Sequence, residues 1–286
     1  MGIGSGVGLM ITFMIIGDFY YERQSRMVVP YTSLSFGLFP FLGMMLGGFI
    51  VSYINWQSCF YFLALYTLVI FFFCLKLPET ATHFDAKALT PKHILRLYRK
   101  GFSDRRLLLY SMIFGSTTTI IYIFATISPI IVIKILKVPP DIFGLLSLSV
   151  SAAYVFGNLL SARLSNYITP RTCIFIAILI MGSAALCLLF FFENQYINLW
   201  TLYIPFIVIY AGIPLSFSNA AILAMAESHG PTASSIMNFI SMSFAVIGVL
   251  MVSAFKNNVF VALPIIVLVV LAVLVFLFFY TRKYAQ

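Results

Sequence analysis

The sequence predicts an all-α, polytopic membrane protein with about nine transmembrane helices. Hydrophobic residues make up 62% of the chain and charged residues only 9%. Apolar stretches recur at a length close to the roughly 20 residues that a helix needs to cross about 30 Å of hydrocarbon. These stretches are continuously apolar and do not alternate residue by residue, which favours helices over the strands of a barrel.

Short connectors separate the apolar stretches. The first stretch is shorter than the others, so it would cross only a locally thinned bilayer or would need further residues before it. The predicted spans are residues 2–17, 28–53, 57–77, 107–133, 141–164, 171–192, 198–225, 231–254 and 258–281.

The basic residues predict the orientation. If every predicted span crosses, 14 of the 17 Lys and Arg residues lie on one side, and only Lys134, Lys137 and Lys256 lie on the other. Cytoplasmic loops carry the excess of Lys and Arg, so we expect the C-terminus inside and the N-terminus outside. This topology, together with contact to anionic lipid, explains the net charge of +9 without a nucleic-acid partner.

One connector, residues 78–106, is much more charged than the rest and divides the chain unequally. Residues 1–77 contain three predicted spans, and residues 107–286 contain six. Thr90 and Pro91 form an N-cap signal for a helix within the connector. Gly101 is expected to end it, and Ser103 to cap the next span. Apolar and basic residues fall mostly on opposite faces, which predicts a short amphipathic helix on the cytoplasmic membrane surface, with a solvated linker as the alternative.

Several segments resemble a known transporter family in the order and spacing of its motifs. GIGSGVGLMITFMIIGDFYYERQSRM (2–27) looks like the fourth family helix, and GLFPFLGMMLGG (37–48) is similar to the antiporter motif of the fifth. GNLLSARLSNYITPR (157–171) is similar to a loop motif of the second half, and GIPLSFSNAAILAMAESHGPTASSIMNF (212–239) resembles helices ten to eleven. The chain thus resembles the Major Facilitator Superfamily, and within it the Bcr/CflA-type drug:proton antiporters, from helix four to helix twelve.

The resemblance implies a helical bundle in a bacterial inner (cell) membrane. It implies proton-coupled efflux of drugs or other small amphipathic molecules by alternating access, with protons and the lipid bilayer as the further partners. Family helices one to three are expected to be absent from this chain. A non-transporting fragment of such a transporter is therefore the main alternative, and a polytopic membrane enzyme is a weaker one.

Two groups of residues are candidates for gating or coupling. The helix-end acid Asp18 either pairs with a nearby arginine or, as the resemblance implies, takes part in coupling. The second group contains small or helix-breaking residues that permit bending or close helix approach. Its members are Gly37, Pro40, Gly43, Gly47 and Gly48.

Polar residues in the last six spans are predicted to line a substrate cavity. A polar amide facing lipid is costly, so each asparagine is expected to face protein or water. Such an amide either binds substrate or bridges helices, and a bridging bond is worth about 1 kcal/mol. The candidates are Tyr122, Ser128, Asn158, Asn219 and Asn238.

We expect neither a cofactor nor a metal, and no enzymatic activity. The four cysteines lie two each in the predicted spans 57–77 and 171–192 without paired ligand spacing, so they are interpreted as small buried hydrophobic residues. The sequence contains no phosphate-binding Gly-Lys-Ser/Thr loop and no HExxH or Gly-x-Ser-x-Gly motif, which argues against ATP-driven transport and hydrolysis.

Overall fold

The computed structural model describes residues 22–76, 90–225, 231–255 and 259–284, and all regular structure in these ranges is helical. Seven helices within them are long and apolar enough to cross a membrane. A shorter apolar helix segment covers Leu38–Tyr53. The predicted polytopic helical membrane fold is therefore confirmed, while the predicted span at 2–17 lies outside the described residues.

The helices follow the predicted spans closely. Their bounds are α1 Glu22–Tyr53, α2 Gln57–Cys74, α3 Pro91–Ser103, α4 Arg105–Pro129, α5 Pro140–Leu164, α6 Pro170–Glu193, α7 Leu199–Met225, α8 Pro231–Ala254 and α9 Val259–Tyr280. A π-helical segment, Ile130–Ile135, continues α4, and a 3₁₀ turn, Thr281–Tyr284, follows α9.

The chain forms two compact units, and α5 contributes to both. Among the described residues, the first unit contains 22–76, 90–93 and 139–148, and the second contains 94–138, 149–225, 231–255 and 259–284. The first two turns of α5 therefore pack with α1, although they follow the α3–α4 segment in sequence.

The second unit is built around α4, which packs against α7, α8 and α9, while α6 packs against α7 and α9. Aromatic rings fill the contact between α4 and α7. The Phe124 ring lies 4.5 Å from that of Phe206 and 5.4 Å from that of Tyr210. Gly115 lets α4 approach α8 closely, because a β-carbon there would lie 3.2 Å from the Cα of Ser241.

Three local features differ from the sequence prediction. The helix α3 continues through Gly101 to Ser103, and a β-carbon at Gly101 would collide with the side chain of Ile236 on α8. Asp104, not Ser103, caps α4, since its carboxylate accepts hydrogen bonds from the backbone N–H groups of Arg106 and Leu107. The π-helical turns follow Pro129, whose nitrogen has no hydrogen to donate to the preceding turn.

Candidate functional site

In the first unit, α1 and α5 touch backbone to backbone through two glycines. A β-carbon at Gly48 would collide with the carbonyl oxygen of Pro140. A β-carbon at Gly144 would lie 2.8 Å from the Cα of Met45 and 3.0 Å from the carbonyl oxygen of Met44. Each glycine thus lets its own helix meet the backbone of the other, which is how small residues bring membrane helices together.

A polar clasp closes the end of this glycine contact. The Ser52 hydroxyl donates to a carboxylate oxygen of Asp141 over 3.3 Å and accepts from the Asp141 backbone N–H over 3.1 Å. Ser52 is exposed and Asp141 is half-buried at this end of the helices. Asp141 also lies in the first turn of α5, where the helix dipole favours a negative charge.

Gly43, Gly47 and Pro40 differ from Gly48 in their surroundings. A β-carbon at Gly43 or Gly47 would meet no atom within 4 Å, and Pro40 is exposed. Gly37 lies within α1, and Asp18 lies outside the described residues. Of Gly43, Gly47 and Gly48, Gly48 is therefore the one that packs against α5.

In the second unit, the predicted cavity residue Asn219 is buried between α5 and α7. Its side chain is 2% exposed, and its amide donates to the Ser161 hydroxyl of α5 over 3.2 Å and to the Leu215 carbonyl over 2.8 Å. Asn158 lies one turn before Ser161, half-buried, and donates to the Tyr154 carbonyl of its own helix. The structure thus joins Asn219 to α5, whereas the hydrogen bond of Asn158 stays within α5.

A second polar contact joins α7 to α4 one turn away from Asn219. The hydroxyl groups of Thr117 and Ser216 lie 3.0 Å apart, and both residues are fully buried. The ring of Phe114 stacks on that of Phe217 with centroids 4.1 Å apart. We call the residues Thr117, Ser216, Asn219 and Ser161 the polar seam, because they link α4, α7 and α5 through side-chain hydrogen bonds.

The other three cavity candidates lie apart from the polar seam. Ser128 is 1% exposed, and its hydroxyl has no hydrogen-bond partner among the described residues. Asn238 is half-buried on α8, and Tyr122 on α4 is 41% exposed.

Sequence reasoning missed the hydroxyl-rich stretch of α4. Ser116, Thr117, Thr118 and Thr119 are all buried, and each hydroxyl donates to the carbonyl four residues earlier over 2.8–3.0 Å. The run Ser-Thr-Thr-Thr within an apolar span was the available signal. This signal was weak because serine and threonine hydroxyls can donate a hydrogen bond to the carbonyl four residues earlier in any helix.

The sequence profile of the Major Facilitator Superfamily matches residues 1–251. The chain belongs to this superfamily. The match extends over both compact units, from the segment before α1 to the last turn of α8, and the predicted family is thereby confirmed.

Individual superfamily relatives are similar over parts of the chain. An uncharacterized transporter of Rickettsia bellii is 33% identical over 56% of this chain and 40% of its own length. The chloramphenicol resistance protein CraA of Acinetobacter baumannii is 24% identical over 85% of this chain and 59% of its own. The multidrug transporter MdfA of Escherichia coli O157:H7 is 29% identical over 47% of this chain and 33% of its own. The chain spans between about a third and three fifths of the length of these superfamily members.

Proposed function

We propose that this chain exports small amphipathic molecules, including drugs, in exchange for protons by alternating access. The main support for the proposal is the contact between α1 and α5. In an alternating-access cycle such a contact would close one side of the protein and would have to open and reform in each transport cycle. The family membership supports transport in general. The relatives named for chloramphenicol resistance and multidrug transport favour an amphipathic substrate.

The construction of the α1–α5 contact suits repeated opening. Backbone packing at Gly48 and Gly144 acts only at short range, so a small separation of the helices removes it. The Ser52–Asp141 hydrogen bonds are exposed, so water replaces them when the clasp opens. By the predicted topology this end of both helices faces the outside of the bacterial cell membrane, and the contact is then the outer closure.

The polar seam supplies the proposed substrate path. Its amide and hydroxyl groups are enclosed by α4, α5 and α7, and they keep acceptor oxygens that a cationic or hydroxyl-bearing molecule would bind. The partners of Asn219 lie on a neighbouring helix and in its own preceding turn, so a substrate would compete with one interhelical bond of about 1 kcal/mol.

Crosslinking of the clasp tests the proposal. In a chain whose four native cysteines are replaced by alanine, we expect Ser52→Cys with Asp141→Cys to form a disulfide under mild oxidation. Oxidation should stop ethidium export from cells, and a reductant should restore it, because the locked contact cannot open. Ser52→Cys alone should export ethidium whether oxidised or reduced. Undiminished export after complete crosslinking would contradict the proposed outer closure.

Proton exchange is tested separately in inside-out vesicles. The addition of ethidium should release protons from vesicles that contain the parent chain, and Asp18→Asn should abolish this release if Asp18 is the coupling acid. A chain that reaches the membrane but moves neither ethidium nor protons would favour the alternative of a non-transporting fragment.

A further inference from the structure

A recess lies on the second unit where α4 begins and α9 ends. It is lined by Arg105, Leu108, Leu109 and Met112 of α4 and by Tyr280 of α9, and its volume is about 180 Å³. Pockets that enclose drug-sized molecules measure about 300–1,000 Å³. The recess is therefore too small for the proposed transport substrate and is separate from the polar seam.

The α4 side of the recess is a single helical stripe. Residues 105, 108, 109 and 112 repeat at intervals of three and four, so they lie on one face of the helix. Arg105 is exposed and the three apolar residues are half-buried, whereas Leu107 and Tyr110 between them are buried in the core. The stripe thus faces away from the helical core of the second unit, as a lipid-facing stripe of a membrane helix does.

Aromatic rings form the other wall. Tyr280 is 49% exposed and stacks on the 66% exposed Phe276 one turn earlier, with centroids 6.1 Å apart. Tyrosines at helix ends commonly lie at the level of the lipid headgroups. The position of Tyr280 in the last turn of α9 places the recess at the membrane–water boundary.

Arg105 lines the recess, and the neighbouring sequence is rich in basic residues. Arg106 follows Arg105, and α3, which ends one residue before α4, contains four basic residues and no acidic one. The carboxylate of Asp104, between α3 and α4, accepts hydrogen bonds from two backbone N–H groups of α4. A site with a cationic rim and an apolar floor is complementary to an anionic lipid.

We propose that this recess binds one anionic phospholipid. The phosphate would lie against the Arg105 guanidinium, an acyl chain along Leu108, Leu109 and Met112, and the glycerol region beside the Tyr280 ring. A second copy of this chain is a poorer occupant, because stable protein interfaces involve about 20–30 residues on each side and the recess offers five.

Native mass spectrometry of the full detergent-purified chain tests this site. We expect it to retain one dioleoylphosphatidylglycerol in preference to dioleoylphosphatidylcholine. Arg105→Gln should weaken retention of the anionic lipid about fivefold. Met112→Trp keeps every charge but fills the floor, so it should also weaken retention. Arg163→Gln, at an exposed arginine at the end of α5, is the matched control and should bind as the parent does.

Four results would overturn the proposal. Equal retention of the two lipids would exclude recognition of the headgroup charge. Equal losses in Arg105→Gln and Arg163→Gln would indicate a diffuse basic surface. Unchanged retention in Met112→Trp, with a melting temperature equal to the parent's, would exclude the recess itself. A dimer that disappears in Met112→Trp would assign the recess to a second copy of the chain.

Discussion

Alanine at the two contact glycines should open the closure between α1 and α5. A β-carbon at position 144 would lie 2.8 Å from the Cα of Met45, whereas ordinary contacts begin at 3.4 Å. The colliding atoms belong to the backbone, so no rotamer change relieves them and the helices must separate. Overpacking of this kind costs about 1–3 kcal/mol. If that cost falls only on the closed state, the open population rises by a factor of about 5–150.

Thiol labelling at a shielded position measures this shift. Ser147 is fully buried on α5, one turn after Gly144, so Ser147→Cys in a cysteine-free chain provides the reporter. Labelling by a membrane-impermeant maleimide should accelerate 5- to 150-fold in Gly144→Ala and likewise in Gly48→Ala.

Gly43→Ala is the matched control, since a β-carbon there meets no atom within 4 Å. Gly43→Ala raises helix propensity by about 1 kcal/mol, as the two test substitutions do. The difference in labelling rate between the test variants and Gly43→Ala therefore reports the steric effect at the α1–α5 contact alone. An equal acceleration in Gly43→Ala would refute the steric reasoning. A parental labelling rate in Gly144→Ala, at equal membrane abundance, would refute it as well.

Three further results are expected. Asn219→Leu should abolish ethidium export while lowering the free energy of unfolding by only about 1 kcal/mol; preserved export would remove Asn219 from the substrate path. Arg171→Gln should destabilise the chain by about 1–3 kcal/mol in thermal unfolding, because it removes hydrogen bonds to two carbonyls at the end of α9 and a ring contact of 5.0 Å. Arg163→Gln should leave the free energy of unfolding nearly unchanged, and an equal loss of stability in both variants would argue against a specific role for Arg171. Single cysteines at Thr90 and Val138 should be labelled from inside and outside respectively, and the reverse pattern would contradict the topology.

The positions of the membrane helices were predictable because composition alone determines them. A segment of some 20 apolar residues has no other stable place than the bilayer, so the predicted and observed bounds of α5, α6 and α7 agree within one residue. Local chemistry determined the places where prediction was wrong. Both Ser103 and Asp104 are good caps, and the sequence does not show which one the backbone will present to the next helix.

The partners within the candidate site were beyond sequence reasoning. Gly43, Gly47 and Gly48 look alike in a helical projection, and only the position of α5 shows that Gly48 is at the contact. Asn219 and Ser161 are 58 residues apart, and their hydrogen bond depends on the register of two helices. The cost of burying an amide correctly placed Asn219 inside the protein, but it gave no information about which helix would receive its hydrogen bond.

The hydroxyl groups of residues 116–119 donate hydrogen bonds within α4, and this affects how the helix enters the bilayer during synthesis. An unsatisfied polar group costs several kcal/mol in hydrocarbon, and four consecutive ones would work against partition of the nascent helix into lipid. Because the four hydroxyl protons are bound within the turns of α4 itself, the helix is compatible with lipid before α7 and α8 have been translated. The Thr117 hydroxyl still has a lone pair that can accept a hydrogen bond from Ser216. The central helix of the second unit can therefore insert into lipid first and bind α7 through this hydroxyl once α7 has been made.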